Sequence, residues 1–385
     1  MSIPLAVSEH GDQVTSSYLW GLLPDNGRVL DRWAREFQVS AGDAFGLLAN
    51  VGEDCPGAVQ FVVPDRVDQA TRPGHVEWLD EARIAGRLRA LRADDSAWRP
   101  EHRSGRFSLA GAQAKFALLH ESGQWGEPSG RTPTTHILKP GIGAFDHHAL
   151  NEHLCLRTAQ KLGIAAASSE FLSFEDQVAL VVERFDRIRI DDQWVRVHQE
   201  DFCQALAVRP GLKYQSDGGP TVPDIAGLIR RHVSPADRVD PAIRQFADGL
   251  AFNFLVGGTD AHAKNYCLLL SGQSVEVGPL YDLASHLPYD GGRYREAKMA
   301  MKVGDKYPVS RVTAYEWRKT ADILGVDAEG LLGRVSNLAE RLPDALSEAC
   351  TEVAHLEEPF PGEFLAEIVK IQPLLLRQLR SSWGP

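Results

Sequence analysis

Cysteines are few and unpaired in this sequence. Cys55, Cys155, Cys203, Cys267 and Cys350 are scattered through 385 residues with no C-x-x-C spacing. That argues against a disulfide framework and against a structural zinc site. Basic residues are also in deficit, 41 Lys and Arg against 52 Asp and Glu, for a formal net charge of −11. No overall basic field therefore draws the chain onto DNA or an anionic membrane. No apolar run is long enough to cross a bilayer, and the start MSIPLAVSEHGDQ lacks the charged-then-apolar order of a signal peptide. The expected location is a reducing cytoplasm. Internal repeats, low-complexity tracts and the phosphate-binding pattern G-x-x-x-x-G-K-[ST] are missing as well.

What is present suits a globular chain, with 43% hydrophobic residues and a length that suggests two or three domains or lobes. Within the first hundred residues, AVQFVV (58–63) predicts a buried strand. HVEWLDEARIAGRLRAL (75–91) predicts a helix with an apolar stripe. From 106 to about 198 the pattern is strand-rich. KFALLH, HILKP, VALVVERF and the RIRID and WVRVH runs predict short strands, with hairpin turns at FEDQ and DDQ. One helix, HALNEHLCLRTAQKLGI, interrupts them, with Gly163 as its cap. Beyond 200 the periodicity is helical. PAIRQFADGLAFNFLVG predicts a buried helix ending at Gly257-Gly258, YCLLLSGQSVEVGPLYDL a hairpin, and the last eighty or so residues three or four helices. AEGLLGRVSNLAERL and ALSEACTEVAHL read as separate helices on either side of Pro343. Strands followed by helices indicate α+β lobes: an N-terminal subdomain over 1–105, a strand-rich lobe over 106–198 and a helical lobe over 199–385.

The stretch FNFLVGGTDAHAKNYCLLL (252–270) places Asp260, His262, Lys264 and Asn265 between two apolar runs. Burying so many polar groups without partners is costly. Asp260 and Asn265 stand five positions apart, the separation at which a protein-kinase catalytic loop sets its base and a magnesium-binding Asn. A second metal-binding Asp should follow a short hairpin, and PLYDLAS supplies Asp282. The same residues would also serve a capped helix end, with Asp260 and Asn265 bonding backbone in a turn, or a hydrolytic metal site built on DAH. Upstream, Lys139 ends an apolar strand and Glu152 lies thirteen residues on in the next helix. They read either as a phosphate-pairing lysine with its orienting carboxylate or as two solvated side chains. Gly111, among small residues between two apolar runs, offers backbone N–H groups to an anion. A plain hairpin bend is the other reading.

Taken together, FSLAGAQAKFALL, PTTHILKP, NEHLCLRTAQKLGI, VVERFDR, HQEDFCQAL, KYQSDGGP, GGTDAHAKN and PLYDLAS occur in the order of the HipA family. These are serine/threonine kinases that act as toxins of bacterial type II toxin–antitoxin modules. The resemblance covers roughly 17–385 and is densest over 106–285. It implies a two-lobed, protein-kinase-like α+β fold with an all-helical C-terminal lobe. It implies ATP and Mg²⁺ as cofactors, Asp260 as catalytic base, and Asn265 and Asp282 as magnesium ligands. Lys139 resembles the phosphate-pairing lysine, and Ala110, Gly111, Ala112, Gln113, Ala114 and Lys115 the phosphate loop. Glu183, Arg184 and Phe185 match the hinge whose backbone holds adenine. His262, Ala263, Lys264 and Asn265 match the segment beside the phosphates, and Tyr281 precedes the metal-binding Asp. Ser108 matches the family's autophosphorylated serine, with Ser104 a nearby competitor.

The implied target is an aminoacyl-tRNA synthetase, most often the glutamyl enzyme. The implied partner is a helix-turn-helix antitoxin of the HipB type, through which DNA is reached only indirectly. A catalytically quiet co-repressor scaffold acting with that antitoxin is the alternative function. Ala114 stands where the family often has an acidic residue. YLWGLLPDN resembles a segment that other members reach after additional N-terminal strands, so the N-terminal subdomain is expected to be shortened. A separate small protein supplying those strands, or a late chosen start, are the other accounts. HQEDFCQ and KYQSDGGP are open between binding substrate and bracing the lobes.

Overall fold

A computed structural model describes residues 2–4, 6–72, 74–98, 107–289, 294 and 296–381. Ser104 and the expected boundary at 105/106 lie outside the described residues. The chain forms two compact units. The first comprises Met1–Ala149, Ser168–Gly211 and Leu269–Ser271, and the second Leu150–Ala167, Leu212–Leu268 and Gly272–Pro385.

The first unit is built on a six-stranded sheet. From edge to edge its strands are Val76–Leu79, Gln124–Pro128, Phe116–Glu121, His136–Lys139, Gln177–Glu183 and Ser169–Phe174, with every pairing antiparallel. The FEDQ and DDQ turns form as expected. In the second, Asp191 and Asp192 both take positive φ, 48° and 60°, the twist that joins strands Arg187–Ile190 and Gln193–Arg196 tightly. Helices Asp12–Gly21, Gly27–Phe37 and Ala44–Val51 precede the sheet, and the side chains of Asn26 and Asp43 cap the second and third. Leu22, Leu23, Trp33, Leu47, Leu88 and Phe116 belong to one buried apolar cluster.

Two expectations fail here. Residues 58–63 form no strand. Phe61 N donates to Gly52 O at 2.8 Å, and Val59 and Phe61 pack half-buried on the apolar cluster without a neighbouring strand. The 75–91 segment divides into strand Val76–Leu79 and helix Glu81–Ala93. Its first part pairs with Trp125–Pro128, setting Trp78 opposite the bare Gly126. Asp80 then caps the helix by accepting from Arg83 N at 2.9 Å.

A buried ionic cluster fastens the 53–57 segment to the end of the sheet. Asp54 accepts from Arg187 Nη2 at 2.9 Å, Arg196 Nη2 at 3.0 Å and Arg184 Nη1 at 3.3 Å, and Thr134 Oγ1 also donates to it. Asp186 grips Arg184 through two bonds, at 3.0 and 2.9 Å, and accepts from Gly57 N at 2.7 Å. Burial alone would raise the Asp54 carboxyl, but Arg187, Arg184 and Arg196 outweigh it and hold it well below its usual range.

The second unit is mainly helical. Helix Val222–His232 begins in a reciprocal Thr221–Asp224 cap. Helix Val239–Val256 is buried along its last two turns, Gly249 to Val256, and stops at Gly257 with φ 64°. Helices Ala314–Leu324, Ala328–Glu352 and Phe360–Arg380 complete it. A pair of strands not foreseen, Lys298–Val303 and Lys306–Pro308, also lies in this unit. The helix expected to break at Pro343 runs through it. Proline removes the N–H that would bond the carbonyl four residues back. Gln372 Nε2 replaces it, donating to Ala339 O and Glu340 O at 3.1 Å each.

Asp54→Ala leaves three guanidiniums without their shared carboxylate, and we expect it to cost roughly 3–5 kcal/mol, read as a lower urea midpoint. Acid should destabilise the chain as well. Burial, with Arg157 adding, pushes the His153 imidazole down to about 4, and burial, with His120 adding, does the same to His136. Between the ordinary 6.5 and 4 the unfolded chain binds protons that the folded chain refuses, so stability falls as pH falls. Urea midpoints measured across that window should decline, and His153→Gln should remove up to roughly 3 kcal/mol of the decline.

Candidate active site

In the second unit, the loop after helix Val239–Val256 is shaped by two glycines. A Cβ on Gly258 would sit 2.2 Å from Asn253 Oδ1, and Gly258 N donates to Asn253 O at 2.7 Å, so no larger residue fits the turn. Beyond it Asp260 is exposed, and its main-chain carbonyl is the hub of the loop. His262 N donates to that carbonyl at 2.8 Å and Asn265 Nδ2 at 3.0 Å. The Asn265 amide thereby donates inward, and its Oδ1 is left to act as an acceptor or ligand.

Asp282 is brought to the same place from the chain after the hairpin. Tyr281 Oη donates to Lys264 O at 2.6 Å. Three residues on, Asn151 grips the main chain of Ser285, donating to its O at 2.7 Å and accepting from its N at 2.9 Å. Asp282 itself is left-handed, φ 57°, an uncommon conformation for a residue with a Cβ and one that concentrates at functional sites. His262 is buried, at 4% exposure. Burial, with Lys213 adding, pushes its imidazole down to about 4, while Asp260 and Asp282 pull the other way. It is neutral at pH 7, and its Nδ1 has no hydrogen-bond partner.

The first unit carries the other expected residues. Gly111 has φ 96°, and a Cβ there would stand 2.8 Å from Lys115 Nζ. Lys115 Nζ donates to Ala110 O at 2.7 Å, curling the Ala110–Lys115 loop on itself. Asp25 N donates to Gly111 O at 2.9 Å. Gln113 Nε2 is buried with no hydrogen-bond partner, Ala112 is exposed, and Ala114 is packed into the apolar cluster. Ser108 is fully buried. Its Oγ donates to Leu22 O at 2.7 Å and its N to Asp54 O at 3.0 Å. Lys139 is buried at the end of strand His136–Lys139. In the hinge segment Glu183 is exposed and Phe185 half-buried, whereas the Arg184 side chain belongs to the Asp54 cluster.

Within the second unit the fold thus gathers Asp260, His262, Ala263, Lys264, Asn265, Tyr281 and Asp282. Within the first it gathers Ser108 and the Ala110–Lys115 loop. Glu152, in the second unit, is buried at 1% exposure, unlike a solvated helix residue. HQEDFCQ braces the first unit. Asp201 and Gln204 cap each other at 2.8 and 2.9 Å, and Gln204 Nε2 reaches Tyr18 O at 3.0 Å. Tyr214 escaped the sequence reading although KYQSDGGP had been singled out; its hydroxyl donates to Asp260 Oδ1.

The donor set of the second-unit loop suits a magnesium nucleotide: the buried His262 Nδ1, without a hydrogen-bond partner, lies in the segment expected beside phosphate. Among the described residues no three His, Cys, Asp or Glu side chains converge on one point. A metal held through Asn265 and Asp282 would therefore complete its shell with phosphate oxygens and water, as Mg²⁺ prefers.

Comparison with known proteins bears on the family of the chain. The HipA-like C-terminal domain matches residues 107–346, and the HipA N-terminal domain matches residues 1–62. Protein Y4mE of Sinorhizobium fredii is 35% identical over 364 residues, covering 92% of this chain and 83% of that protein. The serine/threonine-protein kinase toxin HipA of Shewanella oneidensis is 31% identical over 368 residues, covering 93% and 82%. The solved complex of Shewanella oneidensis MR-1 HipA, HipB and operator DNA superposes with a TM-score of 0.79 at 27% identity, covering 98% of this chain and 87% of that one. In sequence, domain content and fold, the chain belongs to the HipA family of kinases.

Proposed function

We propose that this chain transfers the γ-phosphate of ATP to a serine or threonine of a protein, and that the target is an aminoacyl-tRNA synthetase, the glutamyl enzyme first among them. The observation that carries the kinase chemistry is the second-unit loop. Asp260 is exposed at the loop's tip, Asn265 is fixed by the Asp260 carbonyl, and Asp282 is held in a left-handed turn by the Tyr281–Lys264 bond. Asp260 takes the hydroxyl proton, and Asn265 and Asp282 hold Mg²⁺, which when bound neutralises charge on the phosphates. Lys139 and the Ala110–Lys115 loop hold phosphate oxygens, and the backbone of Glu183–Phe185 holds the adenine. Catalysis is positioning and charge stabilisation. The synthetase target rests on family resemblance.

A small helix-turn-helix antitoxin of the HipB type is the proposed partner, through which DNA is reached. Support comes from the 31% identity to a kinase toxin HipA and from the likeness to a HipA solved with HipB and its operator.

Autophosphorylation at Ser108 is the proposed off-switch. The serine is buried on Leu22 O, so it must leave its slot to be modified. A phosphate carrying about −1.5 to −2 charge could not return there.

Purified chain incubated with Mg-ATP should gain phosphate on Ser108, seen by mass spectrometry, and should phosphorylate a synthetase in a purified panel. Asp260→Asn and Asp282→Asn should each lower transfer by at least roughly a hundredfold, with melting temperatures unchanged. Equal transfer by both variants would overturn the assigned site, and no phosphate on the wild type or on any synthetase would overturn the reading in favour of a quiet scaffold.

A further inference from the structure

The KYQSDGGP segment has no role in the function proposed so far, yet its geometry is specific. Tyr214 O accepts from Asp217 N at 3.1 Å and from Gly219 N at 2.9 Å, so the chain doubles back at once. Gly218 has φ 89°. A Cβ on Gly219 would fall 2.0 Å from Leu212 O and 2.7 Å from Tyr214 O. Both glycines are therefore requirements of the turn. Outside the turn, Gln215 Oε1 accepts from Lys302 N at 2.9 Å, anchoring the loop on strand Lys298–Val303.

From this loop Tyr214 reaches the site. Tyr214 Oη donates to Asp260 Oδ1, and its ring stands edge-on to His262, with centroids 5.0 Å apart and planes at 80°. The Asp260 main chain is already tethered through its carbonyl by His262 N and Asn265 Nδ2. The carboxylate in turn accepts from Tyr214 through Oδ1. An exposed Asp side chain has two free torsions, and a general base must sit within hydrogen-bond reach of one particular proton.

We propose that Tyr214 is a positioning residue for Asp260, holding the carboxylate by Oδ1 so that Oδ2 faces the incoming substrate hydroxyl. The inference rests on the reading of Asp260 as the base. In the transfer step the substrate O–H proton passes to Oδ2 as its oxygen bonds to the γ-phosphorus. The bond from that phosphorus to the β–γ bridging oxygen breaks and ADP leaves. Tyr214 keeps its own proton throughout.

The test uses the full chain with Mg²⁺ and [γ-³²P]ATP at saturation. It reads the initial rate at which label leaves ATP into protein plus water, beside nucleotide affinity from titration with a fluorescent ATP analogue. Tyr214→Phe, which removes only the hydroxyl, should lower the rate by roughly ten- to a hundredfold with affinity within about twofold of the wild type. Because Tyr214 acts through Asp260, the double variant Tyr214→Phe/Asp260→Asn should be no slower than Asp260→Asn alone. A rate unchanged or raised in Tyr214→Phe, while Asp260→Asn is dead, overturns the inference and leaves the kinase reading standing. So does a rate lost in parallel with affinity, or a double variant slower than Asp260→Asn, since a bracing role would give either. A wild type that moves no label overturns both together.

Discussion

The charge cluster around Asp54 is the constraint on which the first unit depends. One carboxylate with almost no exposure is shared by three guanidiniums, and such a group is tolerable only if every remaining donor finds an acceptor. The backbone supplies them. Cys55 O accepts from both Arg184 and Arg187 at 2.9 Å, Gly57 O from Arg187 at 3.0 Å, and Arg131 O from Arg196 at 2.7 Å. The helical N-terminal segment is thus fixed to the sheet through its main chain as well as its side chains. The cluster also reaches the proposed regulatory serine, because the carbonyl of Asp54 accepts from Ser108 N. Ser108 is held in a slot whose two walls, Leu22 and Asp54, both come from the N-terminal segment.

The second unit meets the opposite demand, since its polar groups must stay available. It does so by assigning loop geometry to groups that take no part in the chemistry. Asp260 gives its carbonyl, Lys264 gives its carbonyl to Tyr281, and Asn151 binds the main chain of Ser285. The carboxylates of Asp260 and Asp282 thus project from a loop whose carbonyls at Asp260 and Lys264 are already bonded. Preorganisation of this kind is what a transfer reaction driven by positioning requires.

Much of this was legible in the sequence because it is local. The Asp260–Asn265 spacing, the glycine stop at 257 and the hairpin turns at 175–176 and 191–192 each involve residues within a few positions of one another. Two of the errors turn on a partner far along the chain. Val76–Leu79 reads as helix until Trp125–Pro128 is beside it. The break expected at Pro343 does not occur because Gln372 supplies the missing donor. AVQFVV has strand composition but no strand to pair with.

What the sequence by itself determined was the chemistry available, which acid, amide and lysine stand at which spacing, and a succession of eight motifs that resembles the HipA family. Spacing and periodicity act over a few residues, and alone they left a capped turn and a metal site open beside the kinase loop. Only the tertiary structure decided which groups are exposed and which are held. Arg184 lies in a segment matched to nucleotide binding, yet its side chain is committed to a buried ion pair 130 residues away in sequence. Tyr214 had no role assigned to it within KYQSDGGP but meets Asp260 across 46 residues. Hydrogen bonds and ion pairs are short-ranged in space and indifferent to sequence separation, so the fold alone selects their partners.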